Sequence, residues 1–299
     1  MELTIGIATW NRDRLLRQTL EGLSRQRVGP DVHWQVLVCV NNCSDQTQQV
    51  IQSMKDQLDL DALFESRQGK SYALNRLLGR IQSEWLLLID DDVRVGPNWL
   101  NAYVEGIGRY SDASCLGGPI IPLIDRPLGP HGAFLLAQYP AVFGHLQFEE
   151  DKPMALPDVT AYGGNMALRL RDVPEEGFDP KRGMFGTGRV AGEDVAMVRR
   201  ILEAGGRGYL LAGAVVEHDL PVTQLGLGRF CRWNIGLGRS WRGERGKPEP
   251  GRFGIAWWAW REMIRRAMLV AVSWRPWPTR RFYKTLGDAA QYYGYLNAK

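Results

Sequence analysis

The 299-residue sequence predicts an α/β fold, with a mostly parallel central sheet flanked by helices and a basic helical segment at the C-terminal end. Three observations carry that prediction. Short apolar runs alternate with amphipathic helical patterns through the first third of the chain, the pattern of βαβ units. These apolar runs are nearly unbroken, as in strands covered by helices on both faces. Residues 222–299 hold 15 Lys and Arg against 4 Asp and Glu, together with seven of the eleven Trp, whereas residues 1–221 carry a net charge of −7. The length suits one large domain with an appended segment.

Taken in order, "LTIGIAT" (3–9) reads as the first strand and is followed by a helix over 13–26. "WQVLVCV" (34–40) reads as the second, with a helix over 45–58, and a helix over 70–82 leads to "WLLLI" (85–89). Right-handed crossovers bring the carboxyl ends of such strands to one edge, where open α/β sheets bind their ligands. Each strand is followed by small or polar residues, "TWNRDR", "NNCSDQT" and "DDDVRVGP", so three polar loops converge there. Asp13 and Asp45 serve equally well as helix caps. Further on, "CLGGPII" and "NMALRL" read as strands separated by a Pro- and Gly-punctuated region over 122–160, of the kind that forms lids or substrate surfaces. "GEDVAMVRRILEAGG" (192–206) reads as a capped helix ending at Gly205, and "GYLLAGAVVEHD" (208–219) as a strand region leading to His218.

Cys39, Cys43, Cys115 and Cys231 form no CxxC pair, so they read as reduced thiols rather than a disulfide or zinc framework. The N-terminus enters a strand with no signal-type stretch, and no apolar run approaches the roughly 18 residues of a spanning helix. A cytoplasmic location is expected.

Asp90, Asp91 and Asp92 stand in a row where the "WLLLI" strand ends. Two unit charges about 4 Å apart repel by roughly 4 kcal/mol at an effective dielectric of 20, so crowded carboxylates must protonate, splay into water or hold a cation. Hard oxygen ligands with no nearby cysteine select Mg²⁺ or Mn²⁺, which use one or two protein carboxylates and leave other positions for water and substrate phosphates. A phosphate-bearing ligand is therefore expected. A solvated acidic turn is the plainer alternative.

With these motifs in view, the chain resembles the family 2 glycosyltransferases, inverting nucleotide-sugar transferases of the Rossmann-like GT-A fold. The likeness runs over roughly residues 3–220. "IATWNR" (7–12) resembles the opening nucleotide-binding turn, with Trp10 where a Tyr is usual, and implies Thr9, Asn11 and Arg12 at the nucleotide-sugar site. "VNNCSDQT" (40–47) resembles the second loop and implies Asn42. "QGKSYALN" (68–75) resembles the Gly-x-x-x-Ala-x-Asn segment and implies Gly69, Lys70 and Asn75. "LIDDDVRVGPNWL" resembles the Asp-x-Asp motif. It implies Asp90 and Asp92 as metal carboxylates, Asp92 the more direct, with Asp90 and Asp91 beside the donor. "YGGNMALR" (162–169) resembles the acceptor-side segment and implies Gly163, Gly164 and Asn165. "GEDVAMVRR" (192–200) resembles the Glu-Asp motif at a helix start.

The resemblance implies a transfer from a nucleoside-diphosphate sugar, most commonly a UDP-sugar, assisted by Mn²⁺ or Mg²⁺. The acceptor is expected to be a hydroxyl of a saccharide or lipid-linked molecule in bacterial polysaccharide or glycolipid synthesis. Residues 1–221 are the catalytic domain, with 1–112 the nucleotide half and 113–221 the acceptor half, and 222–299 the C-terminal segment. Asp194, with Glu193 beside it, is the candidate general base, a role that contributes about 10²–10⁴-fold in rate. Both residues also favour a helix N-terminus through its dipole. His218 resembles the late histidine that completes the metal site.

"RFCRW" (229–233) resembles the Gln-x-x-Arg-Trp motif of processive polysaccharide synthases, but Arg229 stands where Gln is expected and spanning helices are lacking, which weighs against a processive enzyme. Arg232 is a candidate for diphosphate oxygens and Trp233 for stacking on an acceptor sugar. Between Ala256 and Trp274, Trp260, Met263, Ile264, Ala267, Ala271 and Trp274 share one helical face, with Arg261, Glu262, Arg265 and Arg266 off it. This face fits docking on the core or lying in a membrane interface, to which Arg275, Arg280, Arg281 and Lys284 would add attraction for anionic lipid. The wider candidate membrane surface is 229–284; no nucleic acid partner is expected.

Two other readings have sequence arguments. A haloacid-type phosphatase also uses Asp-x-Asp, but Arg94 stands where it wants Thr or Val. A calcium loop fails because Val95 and Asn101 replace its Gly and closing Glu. The non-enzyme alternative is a sugar- or membrane-binding scaffold of the same fold that has lost catalysis, against which stands the joint presence of Asp90, Asp92 and Asp194.

Overall fold

The computed structural model describes residues 1–159, 162–185, 188–190, 192–245, 257–273, 277 and 279–297. In chain order the first elements are β1 (Glu2–Thr9), α1 (Asp13–Leu23), β2 (His33–Val40), α2 (Thr47–Met54), β3 (Leu60–Phe64), α3 (Lys70–Leu78), β4 (Trp85–Asp90) and β5 (Val93–Val95). Next come α4 (Trp99–Arg109), β6 (Ala113–Gly117), β7 (Ile120–Leu123), α5 (Pro130–Gln138), β8 (Lys152–Met154), β9 (Asn165–Arg169), β10 (Gly183–Phe185) and β11 (Gly188–Val190). The chain continues through α6 (Glu193–Glu203), β12 (Arg207–Leu210), β13 (Val216–Asp219), α7 (Leu227–Arg245), α8 (Trp257–Ser273) and α9 (Arg280–Leu296). Two compact units result, one of Met1–Leu123, Gly144–Lys181 and Glu193–Asp219, the other of Ile124–Phe143, Arg182–Gly192 and Leu220–Lys299.

The first unit is built on an eight-stranded sheet in the order β3-β2-β1-β4-β9-β6-β12-β8. β1, β2, β3 and β4 run parallel, as the βαβ pattern predicts, whereas β9 runs antiparallel to both neighbours and β8 antiparallel to β12. Both faces are covered. Leu3, Ile5 and Ile7 of β1 and Leu87 and Ile89 of β4 meet Leu16, Leu20 and Leu23 of α1 in one apolar layer. Leu86 and Leu88 meet Leu74 and Leu77 of α3 and Met197 and Ile201 of α6 in the other. The unbroken "WLLLI" run is thus explained by burial on two sides.

Several details differ from the sequence reading, among them the short added strands β5, β8, β10 and β11. β3 is an added strand, an edge element that pairs only with β2 and leaves most of its side chains at the surface. "CLGGPII" is two strands, with β6 in the large sheet and β7 in a small sheet of order β5-β13-β7. The break falls at Gly118, where a Cβ would stand 3.0 Å from the Ala214 carbonyl carbon. The 208–219 region likewise splits into β12 and β13 in different sheets.

In the second unit Leu135, Val142, Phe143, Phe230, Phe282 and Tyr283 form the core. α7 and α9 approach so closely that a Cβ on Gly294 would stand 2.9 Å from the Ile235 carbonyl carbon. α8 rests beside α9, but not through the apolar face that the sequence offers either to the core or to a membrane interface. Ala259 is buried, and Glu262, Met263, Arg266, Leu269, Val270 and Ser273 are half-buried, so of the predicted face only Met263 turns inward. Trp260, Ile264, Ala267 and Ala271 are exposed, and Ala256, Trp274 and Arg275 lie outside the described residues. The reason is polar and aromatic. Arg266 bridges Glu262 and Asp288 of α9 and lies over the Tyr292 ring, and Trp258 tilts against Tyr295. Among the described residues no helix is long and apolar enough to cross a membrane.

Candidate functional site

The acidic triplet sits at the carboxyl end of β4, beside the end of β1, with Ala8 registered against Asp90. Basic side chains separate the three carboxylates. Asp90 Oδ1 accepts from Lys70 Nζ at 2.5 Å. Asp91 turns back toward β1, where Oδ2 accepts from the Thr9 hydroxyl at 2.7 Å and Oδ1 from Arg12 at 2.9 Å. Asp92 Oδ2 meets the same Arg12 nitrogen at 2.6 Å and lies 3.5 Å from His218 Nε2. Three neighbouring charges are therefore held apart by three basic side chains from α3, the β1 loop and β13. Strand pairing explains His218: β5 comes directly after the triplet and pairs with β13, with Val93 opposite His218 and the Asp219 amide donating to the Asp92 carbonyl at 3.0 Å.

These partners set the proton affinities. Burial pushes Asp91 up to about 6 despite the opposing Arg12 charge. Burial also acts to raise Asp92, but the His218 hydrogen bond and charge, with Arg12 and Lys70, hold it well below the ordinary carboxylate range. Lys70 is desolvated, yet the charges of Asp90, Glu193 and Asp194 keep it above the ordinary lysine range.

The first loop is tied to the second by Asn11, whose side-chain oxygen accepts from the Ser44 amide at 2.7 Å. Asn11 and Asn42 both adopt left-handed backbone, with φ of 51° and 60°, a conformation Asn tolerates better than other side chains. Asp45 Oδ2 accepts from the first amide of α1 at 3.0 Å while Oδ1 accepts from Thr47 at the start of α2, so one carboxylate caps two helix starts. Asn41 is a site residue that the motifs did not single out. It is buried, accepts from the Gly69 amide at 2.9 Å and donates to the carbonyls of Glu65 and Arg67, joining the second loop to the start of α3. Its one signal in the sequence is its place directly after the apolar β2 strand.

On the other side, Gly163 and Gly164 lead into β9. The Gly163 amide donates to Asp194 Oδ2 at 2.7 Å, and Asp194 Oδ1 accepts from the Val195 amide in the first turn of α6. A Cβ on Gly164 would stand 3.0 Å from Asp90 Oδ2, and one on Gly163 would stand 3.3 Å from Asp194 Cβ. Lys70 lies 3.9 Å from Glu193, which is buried. Asp90, Asp194, Glu193, Lys70 and the glycine pair are thus brought together.

Two predicted residues are engaged elsewhere. Asn165 is fully buried and uses its whole amide, accepting from Trp99 and Tyr103 and donating to the carbonyls of Pro119 and Ala214. Touching an acceptor, the contact expected of it, is corrected to bracing the β9 turn from behind. Asn75 exchanges two hydrogen bonds with the Phe178 backbone at 2.8 and 2.7 Å, so its amide fastens α3 to the 174–179 turn. Arg232 and Trp233 belong to α7 of the second unit, where Arg232 is exposed and Trp233 packs against the core.

A divalent ion fits the donor set in one respect. Asp92 Oδ1 is buried and has no hydrogen-bond partner, a cost of about 1–3 kcal/mol for a polar atom and more for a charged one. Among the described residues no group of three or more His, Cys, Asp or Glu gathers at metal distance. A hard ion held mainly by a diphosphate and water needs only one or two protein ligands, and Asp92, Asp90 and His218 are the residues that could supply them.

Comparison with known proteins agrees with this architecture. The mannosyltransferase PcManGT from Pyrobaculum calidifontis, solved with GDP-Man and Mn²⁺, superposes with a TM-score of 0.56 at 16% identity, over 97% of this chain and 69% of that one. S. aureus TarS 1-349 in complex with UDP-GlcNAc gives 0.57 at 13% identity, over 98% and 91%. The fold is therefore GT-A. The chain belongs to the family described as "Glycosyltransferase like family 2", whose model matches residues 2–228. Among curated relatives, validoxylamine A glucosyltransferase of Streptomyces hygroscopicus subsp. limoneus is 34% identical over 166 residues, 53% of this chain and 36% of that protein. The succinoglycan biosynthesis protein ExoM of Rhizobium meliloti (strain 1021) is 25% identical over 122 residues, 40% and 39%. The matches span little more than a third of those relatives' lengths.

Proposed function

We propose that the protein is a metal-dependent, inverting glycosyltransferase that moves a sugar from a nucleoside-diphosphate sugar, with UDP the first nucleotide to test, to a hydroxyl of a saccharide or lipid-linked acceptor. Bacterial polysaccharide or glycolipid synthesis at the inner face of the plasma membrane is the setting this reading favours. The observation that supports it most is the glycine pair: Asp90 lies against Gly164 and Asp194 against Gly163, so the proposed donor carboxylate and the proposed base stand beside two adjacent residues that carry no side chain, with Lys70 Nζ next to both.

In this reading residues 1–221 carry the chemistry, 1–112 toward the nucleotide and 113–221 toward the acceptor, with 222–299 appended. Thr9, Asn11, Arg12, Asn42 and Gly69 shape the nucleotide edge. Asp92, Asp90 and His218 would hold Mn²⁺ or Mg²⁺, as Mn²⁺ accompanies GDP-Man in PcManGT. The bound ion supplies charge neutralisation for the departing diphosphate. Asp194, oriented by the Gly163 amide, takes the proton of the acceptor hydroxyl as that oxygen bonds to the anomeric carbon. The bond to the diphosphate breaks on the opposite face and its electron pair leaves with the nucleotide.

Thermal shift over a panel of UDP-, GDP- and dTDP-sugars with Mn²⁺ identifies the donor, and hydrolysis of that donor is then measured with and without EDTA. Metal-dependent turnover that falls about 10²-fold or more in Asp194→Asn, with donor binding kept, is the expected result. Binding without turnover in the wild type would leave a scaffold instead.

A further inference from the structure

α8 presents the wrong face to solvent for a helix that simply packs on a protein core. At 100° per residue, Trp257, Trp260, Ile264, Ala267, Met268 and Ala271 form one outward stripe, and Trp257, Ile264 and Met268 are 58, 46 and 64% exposed. The inward face carries Glu262 and Arg266, matched to Asp288 of α9. Contiguous apolar surface of this kind marks an interaction site.

Charge identifies the occupant. Arg261 lies beside the outward stripe, and Arg280, Arg281 and Lys284 are exposed within the first turns of α9, next to exposed Trp277. Among the described residues none of these four cations makes an ion pair, while the carboxylates within reach, Glu262 and Asp288, are already engaged by Arg265 and Arg266. A second copy docked on this face would set cation against cation, because a two-fold interface repeats the same patch on both sides. A bilayer surface with anionic headgroups satisfies both features, since it takes Trp, Ile and Met into the acyl boundary and the Arg and Lys at the phosphates.

We infer that the outward face of α8, with the basic start of α9, is a monotopic docking surface for anionic lipid, with α8 lying in the membrane plane. The inference rests on the membrane setting of the proposed function and gives it a surface, argued from exposure and charge rather than from the donor.

The test uses the full chain with large unilamellar vesicles of phosphatidylglycerol and phosphatidylcholine, or phosphatidylcholine alone, in flotation at low and high salt. Wild type is expected to float with anionic vesicles only, and salt should release it. The Ile264→Glu/Met268→Glu variant should partition roughly tenfold or more weakly, and Arg280→Gln/Arg281→Gln by roughly fivefold per charge removed. Circular dichroism checks that the variants fold, and the lipid and salt arms on the wild type stand without them. Absence of flotation, equal flotation with neutral vesicles, or a dimer in sedimentation velocity that the Glu variant dissociates would overturn the inference. Donor hydrolysis in the same preparation without lipid separates its failure from that of the proposed function.

Discussion

α1 and α8 are both amphipathic helices, yet they bury opposite faces. α1 places Leu16, Leu20 and Leu23 in the core and leaves Arg14 and Arg17 at the surface. α8 turns Glu262 and Arg266 inward and leaves Trp257, Ile264 and Met268 outside. Periodicity reveals that a helix has an apolar face; it does not reveal which medium that face meets. The neighbour decides. α1 has a strand of unbroken apolar residues beneath it, whereas α8 has Asp288 and Tyr292 of α9, which suit a guanidinium.

The sharpest way to break this comparison is a pair of truncations. Leu20→Ala removes a fully buried side chain and should cost about 2–5 kcal/mol in denaturant unfolding, while Ile264→Ala should change stability by less than about 0.5 kcal/mol. Equal costs would mean that α8's stripe is packed in solution. Next in size is Gly294→Leu, where the new side chain meets the Ile235 backbone of α7 and overpacking costs about 1–3 kcal/mol. This result would show that α9, not α8, carries the tight seam of the second unit. Asp288→Ala ranks third. It leaves Arg266 half-buried with Glu262 as its remaining partner, and a loss of about 1 kcal/mol in the same unfolding measurement is expected, between the exposed and buried limits for ion pairs.

Much of the first unit is legible in the sequence because its signals are redundant. β1, β2 and β4 are apolar along most of their length, since both faces are covered, and the polar residues after them fall at one edge. β3 lacks that signal, because an edge strand with Asp61 and Phe64 at the surface has neither an unbroken nor a cleanly alternating pattern. The convergence of Asp90, Lys70 and Asp194 can be expected from motif order. The Arg12 clamp on Asp91 and Asp92 cannot, since it joins residues about eighty positions apart through strand pairing. Asn165 and Asn75 show a further limit: an amide near a motif reads the same whether it faces a ligand or braces a turn, and only the burial of Asn165 and the bonds of Asn75 to Phe178 distinguish the two.

The smallest expected effect concerns pH. On the inward face of α8, Glu262 accepts from Arg265 and Arg266, and the hydrogen bond from Arg265 is the largest influence holding its carboxyl down at about 2, against an ordinary value of 4.5. A carboxyl depressed in the folded state contributes stability that is fully present above its ordinary value and is lost as pH falls through the folded one. Asp288 and Tyr292 of α9 also face this network through Arg266, so the comparison is made against a variant that lacks only the Glu262 charge. The difference in Tm between wild type and Glu262→Gln isolates the one group: it should be positive and flat above about pH 5 and shrink as pH is lowered from about 4.5 toward about 3. A difference that stays constant over that range would mean that the Glu262 charge does not act through its pairs with Arg265 and Arg266 along α8, the network from which Arg266 reaches Asp288 of α9.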